Sequence, residues 1–204
     1  EKHAQDGKTV IFIGNKENLL GIVTVKDKLR DEAKDVISNL NNMGVQTVML
    51  TGDNKVAANS VAEKLGIKYV YSELMPEDKL NLLDTIRNKF GDVAMVGDGI
   101  NDAPALARAN IGIAMGGIGS DAAIEAADVV FMTSDVEAVP QALQIANQTS
   151  KIAWQNVIFA LAVKLLVMVL GLMGHASMWL AVFADSGVAM LCVLNSIRAL
   201  YQKK

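Results

Sequence analysis

Across residues 152–197 only Lys164 and Asp185 carry a formal charge, whereas the first 150 residues hold nearly all the others. A stretch that long and apolar has few folded destinations. It suffices for two helices that each cross a ~30 Å hydrocarbon core at ~1.5 Å of rise per residue. Residues 152–174 and 177–199 are the expected spans, joined by Gly174-His175-Ala176-Ser177, which holds no lysine or arginine. Lys151 stands at one end of the pair, with Arg198, Lys203 and Lys204 at the other. The positive-inside rule then puts both ends, and the soluble part, on the cytoplasmic side. A buried soluble helical pair is the alternative. The net charge of -3 offers no basic stripe to meet phosphates, which excludes a nucleic-acid partner. A lone cysteine, Cys192, excludes an internal disulfide framework. The chain opens Glu1-Lys2-His3-Ala4, without a methionine or a signal-peptide pattern, and reads as a piece of a longer polypeptide.

Before residue 150 the rhythm is that of alternating strands and helices. Residues 8–13 and 19–25 predict two strands around Gly14-Asn15-Lys16, closing off a domain whose main body lies upstream. From Asp27, Leu29, Ala33, Val36, Ile37, Leu40 and Met43 recur at helical spacing, with Gly44 as C-cap. A buried strand over 45–50 follows, then a helix from about Asn54 to Leu65 that stops at Gly66. Pro76 suits the N1 position of a helix ending near Phe90 and Gly91. Further strands are expected over 92–96, 111–114 and 128–132, and a polar amphipathic helix over 135–150 leads into the apolar region. Such alternation implies a Rossmann-type parallel sheet with right-handed crossovers and ligands beyond its carboxyl ends. The expected fold class is therefore an α/β parallel-sheet domain followed by a transmembrane helical hairpin.

Three segments converge on phosphoryl transfer. Thr51-Gly52-Asp53 follows a strand, where a hydroxyl and a glycine amide can both donate to a phosphate oxygen. Lys79, in Pro76-Glu77-Asp78-Lys79, can aim an ammonium at an anion from a first helical turn. Asp98 leaves a strand between two glycines, and Asn101 and Asp102 follow at a helix start. Two carboxylates and an amide grouped there suit Mg2+, which takes oxygen ligands.

The order T-G-D (51–53), P-E-D-K (76–79) and V-G-D-G-I-N-D-A-P-A-L (96–106) resembles the phosphorylation domain of P-type ATPases, members of the haloacid-dehalogenase-like superfamily. The likeness continues through G-S-D-A-A-I-E-A-A-D (119–128), where the family more often has threonine at the place of Ser120. V-K-D-K-L-R (25–30) resembles the family's hinge, with Asp27 and Arg30 as hinge residues. The resemblance implies the end of a nucleotide-binding domain over 1–26, a phosphorylation domain over 27–150, and two membrane helices with a short cytoplasmic tail over 151–204. It implies that Thr51 and Gly52 hold the phosphoryl group within a catalytic set of Thr51, Gly52, Asp53, Lys79 and Asn101. Lys79 stabilises the charge and Asn101 hydrogen-bonds the phosphate. Asp98 binds Mg2+, and Asp102 supports that site as a ligand or as a partner behind it. ATP is the second cofactor implied, most of its binding domain lying outside this chain.

The two membrane charges choose a branch of that family. Lys164 lies eleven residues before His175 and Asp185 ten after it, so both stand roughly 15–16 Å from the turn, near the bilayer midplane. Each costs roughly 2.5–3.5 kcal/mol at a helix centre on insertion scales, so the pair needs a reason to exist. A structural ion pair is one reason. An ion site is the other, with Asp185 as an oxygen ligand to a divalent metal and Lys164 as a built-in counter-ion that takes Asp185 back when the metal leaves. Asp185-Ser186-Gly187 and Lys164 resemble the zinc/cadmium/lead exporters. Copper pumps show a tyrosine–asparagine pair here, whereas Asn156 has no adjoining tyrosine, and cobalt-type relatives carry histidine–glutamate where Asp185 stands. A carboxylate also suits a borderline divalent ion better than cuprous ion. The implied function is ATP-driven export of Zn2+, Cd2+ or Pb2+ across the cell membrane by a multi-pass protein, with the rest of the same polypeptide as partner. A copper pump and a membrane-anchored phosphatase of the same superfamily are the rivals. Met168, Met173, Met178 and Met190 read as packing, Cys192 as a small buried residue and His175 as a loop residue.

The family's nucleophilic aspartate lies in a D-K-T-G-T motif that does not occur in these 204 residues; Asp27-Lys28 is followed by Leu29-Arg30. The isolated chain is accordingly expected neither to hydrolyse ATP nor to accept phosphate. After incubation with labelled ATP and Mg2+ and an acid quench it should carry no label; stable label on the chain would overturn this.

Overall fold

A computed structural model describes residues 9–15, 18–25, 28–97, 100–116, 121–175 and 177–200. Asp27, Asp98, Ser120, Lys203 and Lys204 lie outside the described residues. The chain divides into two compact units, Glu1–Pro140 and Gln141–Lys204.

The first unit begins with a hairpin of β1 (Thr9–Gly14) and β2 (Leu19–Val25), antiparallel with Phe12 opposite Ile22. β-branched and aromatic runs favour the pleated backbone, but Phe12 and Leu20 remain 67% and 69% exposed, so the unit's own core does not cover this hairpin. Helix α1 (Ala33–Asn42) buries Val36 and Leu40. It starts later than Leu29 suggested: residues 28–30 are irregular, and Ala33 N–H closes a turn onto the Arg30 carbonyl.

Strand β3 (Val48–Leu50) pairs in parallel with β4 (Tyr69–Tyr71), Leu50 opposite Tyr71. Between them runs α2 (Lys55–Leu65), whose ends follow from local chemistry. The Asn54 side chain accepts from Ala57 N–H at 2.9 Å, satisfying one of the helix's orphan donors. At the other end Gly66 adopts φ 75°, which a Cβ would oppose, and Ile67 N–H reaches the Ala62 carbonyl. Helix α3 (Pro76–Phe90) has proline in its first turn, and the Asp78 carboxylate accepts from Met75 N–H at 2.9 Å.

Strands β5 (Ala94–Gly97), β6 (Ile111–Met115) and β7 (Val129–Phe131) form a parallel sheet in that order. A 3-10 turn, Ile100–Asp102, and α4 (Ala103–Arg108) connect β5 to β6, and α5 (Asp121–Ala126) lies between β6 and β7. Parallel strands need covering helices, and the buried cluster shows them: Met95 and Ala114 from the sheet meet Leu83 of α3, Ala105 and Leu106 of α4 and Ala123 of α5. Leu50 of β3 packs on the same cluster, so the β3–β4 pair and the three-stranded sheet share one core.

In the second unit α6 (Ala138–Leu172) is continuous over 35 residues, its first turn belonging to the first unit. The expected separate polar helix and membrane span are one element. The polarity changes along it, yet no residue after Pro140 breaks its hydrogen-bond ladder, and proline is tolerated in a first turn. Gly174 at φ 76° reverses the chain, with His175 N–H on the Leu170 carbonyl. Helix α7 (Met178–Ile197) then carries a π-turn at Phe183–Gly187. Both α6 and α7 are long and apolar enough to cross a bilayer.

Gly112 marks the tightest approach of helix to sheet, since a Cβ there would lie 2.6 Å from the Leu106 carbonyl oxygen. Its N–H also donates to Asp128 Oδ2 at 2.8 Å while Asp128 N–H donates back to the Gly112 carbonyl at 2.9 Å. Gly112→Ala should therefore cost about 1–3 kcal/mol of stability through overpacking, read as a lower urea midpoint in pulse proteolysis of the first unit.

Candidate functional site

Thr51 is the first residue beyond β3. Its N–H donates to the Tyr71 carbonyl and its carbonyl accepts from Leu74 N–H, which locks it between β4 and the loop entering α3. The Thr51 hydroxyl donates to Asp53 Oδ2 at 2.9 Å, and Asp53 N–H donates back to Thr51 Oγ1 at 3.1 Å. Asp53 also accepts from Glu73 N–H at 2.8 Å, and Glu73 adopts φ 59°, an uncommon conformation for a residue with a side chain. Gly52 sits exposed at the apex, where a Cβ would come within 3.3 Å of the Leu74 carbonyl oxygen. Thr51-Gly52-Asp53 is thus a closed turn at the carboxyl end of a strand, tied to the loop that begins α3.

Lys79, in the first turn of α3, reaches across to the turn that follows β5. Its Nζ donates to Asp102 Oδ1 at 2.7 Å, and both side chains are only 16% exposed. Gly97 makes the room: a Cβ there would lie 2.7 Å from Asp102 Cβ and 3.0 Å from Oδ2. Lys79 and Asp102 are therefore one ion pair, a pairing that separate reading of the two motifs did not foresee. Asn101 is exposed in the same turn, and Asp98, one residue beyond β5, lies outside the described residues.

A cleft of roughly 260 Å³ opens beside this pair, lined by Arg30, Val96, Gly97, Asp102, Met115, Ser134 and Val136. It sits at the carboxyl ends of β5 and β6, where α/β sheets hold their ligands. The Arg30 guanidinium donates to the Ser134 carbonyl across it. Ser134 was not anticipated; a contact between residues 104 apart leaves no local signal. Asp27, the other expected hinge residue, lies outside the described residues. Among the described residues no three histidines, cysteines, aspartates or glutamates converge as a ready-made metal cluster. The donors on this floor are oxygens, with Asp102 Oδ2 left over from the bond to Lys79; that chemistry fits a hard cation beside a phosphate.

In the second unit Lys164 of α6 meets Asp185 of α7, Nζ to Oδ1 at 3.2 Å. The side chains are 58% and 77% exposed, so the pair lies on an open face of the hairpin that further ligands can reach. A cavity of roughly 270 Å³ beside it is lined by Lys164, Val167, Met168, Ala181, Ala184 and Asp185. Ala184 and Val188 form the buried seam. Further along, Asn156 Nδ2 donates to the Cys192 carbonyl at 3.1 Å and to Ser196 Oγ at 2.9 Å, while Asn195 Nδ2 donates to Asn156 Oδ1 at 2.8 Å. This amide clasp, which sequence reading passed over, pins the helices two turns before the charges; in an apolar medium such bonds hold helices together.

The chain matches the haloacid dehalogenase-like hydrolase family over residues 1–110, and a second haloacid dehalogenase-like hydrolase family over residues 80–143. It is 41% identical over 198 residues to the cadmium-transporting ATPase of Staphylococcus aureus, covering 97% of this chain and 27% of that protein. It is 46% identical over 193 residues to the zinc-transporting ATPase of Synechocystis, covering 93% and 27%. A crystal structure of a zinc-transporting PIB-type ATPase in the E2.Pi state superposes with a TM-score of 0.88 at 40% identity, over 98% of this chain and 32% of that one. The chain thus spans about a quarter to a third of the length of the relatives it matches.

The Gly97–Asp102–Lys79 packing is open to a direct check. Gly97→Ala should displace Asp102 and leave two mostly buried charges unpaired, a loss of about 1–3 kcal/mol in denaturant unfolding. Adding Asp102→Ala to Gly97→Ala should cost much less than Asp102→Ala costs alone, because the bond is already broken.

Proposed function

Because this chain belongs to the haloacid dehalogenase-like hydrolase family and is homologous over nearly its whole length to cadmium- and zinc-transporting P-type ATPases, we propose that it forms the phosphorylation domain and terminal membrane helices of an ATP-driven exporter of divalent heavy-metal ions. The observation that carries this reading is the Lys164–Asp185 ion pair on two membrane-length helices, in a chain that also carries a phosphate cradle.

The division of labour is the one the family resemblance implies, and the contacts of Thr51, Asp53, Lys79 and Asp102 support it. Thr51 and Gly52 hold the phosphoryl group, with Asp53 fixing the Thr51 hydroxyl by the bond it already makes. Lys79 answers the charge that develops on the phosphoryl oxygens, its ammonium held ready by Asp102. Asn101 hydrogen-bonds the phosphate. Asp98 and Asp102 would hold Mg2+, which when bound neutralises phosphate charge. The nucleophilic aspartate and most of the ATP site come from elsewhere in the same polypeptide, joined through a hinge at Asp27 and Arg30. Residues 1–26 close the nucleotide-binding domain, 27–150 are the phosphorylation domain, and 151–204 give two spans and a tail. Lys151 and Arg198 flank the hairpin and set the soluble part in the cytoplasm of a multi-pass cell-membrane protein.

At the ion site the Asp185 carboxylate is an oxygen ligand for Zn2+, Cd2+ or Pb2+, and a hard oxygen disfavours Cu+. Lys164 competes for that carboxylate and takes it back as the ion leaves.

The test is metal-stimulated ATP hydrolysis by the full-length protein. Zn2+, Cd2+ or Pb2+ should stimulate and Cu+ should not, and Asp185→Asn should abolish stimulation. Lys164→Ala should slow metal release. Stimulation by Cu+ alone, or unchanged transport and affinity in both variants, would refute this assignment.

A further inference from the structure

Asp185 sits in the middle of the π-turn Phe183–Gly187, where Val188 N–H donates to the Phe183 carbonyl five residues back. π-turns are rare and their hydrogen bonding is poorer than an α-helix offers, so one persists only where local packing holds it. Within this one the Phe183 ring and Gly187 are in close contact. A Cβ at residue 187 would lie 2.6 Å from Phe183 Cδ2, 2.8 Å from Cε2 and 3.2 Å from Cγ. The ring therefore rests directly on a bare Cα. On either side of Asp185, Ala184 and Val188 are 5% and 2% exposed, so the turn is pinned to the hairpin seam while the carboxylate stays open and meets Lys164 at 3.2 Å.

We infer that Gly187 is a positioning residue for the ion site: its missing side chain leaves room for the Phe183 ring, so that the π-turn pinned by Ala184 and Val188 stays closed and sets Asp185 within reach of both Lys164 and an incoming divalent ion. This rests on Asp185 being the ion ligand proposed above. An added methyl at residue 187 must push the ring aside or open the turn. Opening the turn displaces the Asp185 carboxylate it carries, and the disturbance lies in α7, away from the residues of the phosphate cradle in sequence.

The experiment uses the full-length protein and follows ATP hydrolysis against Zn2+ concentration, with phosphorylation by inorganic phosphate in the absence of Zn2+ as the measure of an intact cradle. Gly187→Ala should raise the half-saturating Zn2+ concentration about tenfold, the effect of a misplaced side chain of ordinary size, with maximal rate and phosphate labelling near parental. Adding Phe183→Ala removes the ring and should return half-saturation to within about twofold of the parent, the coupling expected of residues in contact. If Gly187→Ala does not accumulate, the double variant decides alone: parental half-saturation supports the assignment and a tenfold rise overturns it. Parental half-saturation in Gly187→Ala, or a defect that Phe183→Ala does not relieve, also overturns it. Asp185→Asn in the same assay separates the two readings, since retained Zn2+ stimulation there refutes the ion site itself.

Discussion

An ammonium and a carboxylate on helices long enough to span a bilayer would have no bulk water to hydrate them in its core, and meeting each other is the answer the second unit gives to that constraint. The pair offsets part of its desolvation by meeting at 3.2 Å. Breaking it by removing one partner strands the other, which is costlier than never having buried either. In the export reading proposed above, a divalent ion at Asp185 would have to match what Lys164 provides. In the proposed exporter, a fixed competitor of this kind would keep binding reversible and let the cargo go. The surrounding devices serve that meeting: the Asn156 amide clasp pins the helices on one side of it, and Ala184 and Val188 are buried beside it.

The soluble unit solves a related problem by different means. Its candidate site side chains are short of rotamer freedom because each already has a partner: Thr51 has Asp53, Lys79 has Asp102, and the expected hinge residue Arg30 has the Ser134 carbonyl. Backbone bonds from Thr51 to β4 and to the loop before α3 connect the turn bearing the hydroxyl to the helix bearing the ammonium. The turn and the helix are consequently one connected piece, and in the proposed cradle preorganised donors of this sort would need little rearrangement as charge develops on a bound phosphate. Glycine at residue 97 allows the Asp102 carboxylate to stand where Lys79 can reach it. In both units, then, a glycine that leaves room for a neighbouring side chain stands close to an ion pair in the sequence.

Features dictated by local chemistry were legible in the sequence. Asn54 and Gly66 bracket α2, and Pro76 and Gly91 bracket α3, because capping depends on the residue at the cap and its immediate neighbours. Lys164 and Asp185 could be set at one depth by counting from the turn, since helical rise is nearly invariant. Strand β4 escaped notice: three residues, Tyr69–Tyr71, become a strand only by pairing with β3. The shift from polar to apolar composition near residue 150 suggested two elements, but backbone hydrogen bonding is indifferent to polarity and α6 runs through it.

By itself the sequence determined the alternation of strands and helices, the phosphate-handling motifs, the hairpin of membrane length and the two charges within it, because each is written in neighbouring residues or in a repeat of fixed period. Tertiary structure alone decided which partners those groups take. Lys79 finds Asp102, Arg30 finds Ser134, Asn156 finds Asn195, and the Phe183 ring folds onto Gly187 through a π-turn that no local signal announces. Partners distant along the chain are brought together only by packing, and packing is a property of the folded whole.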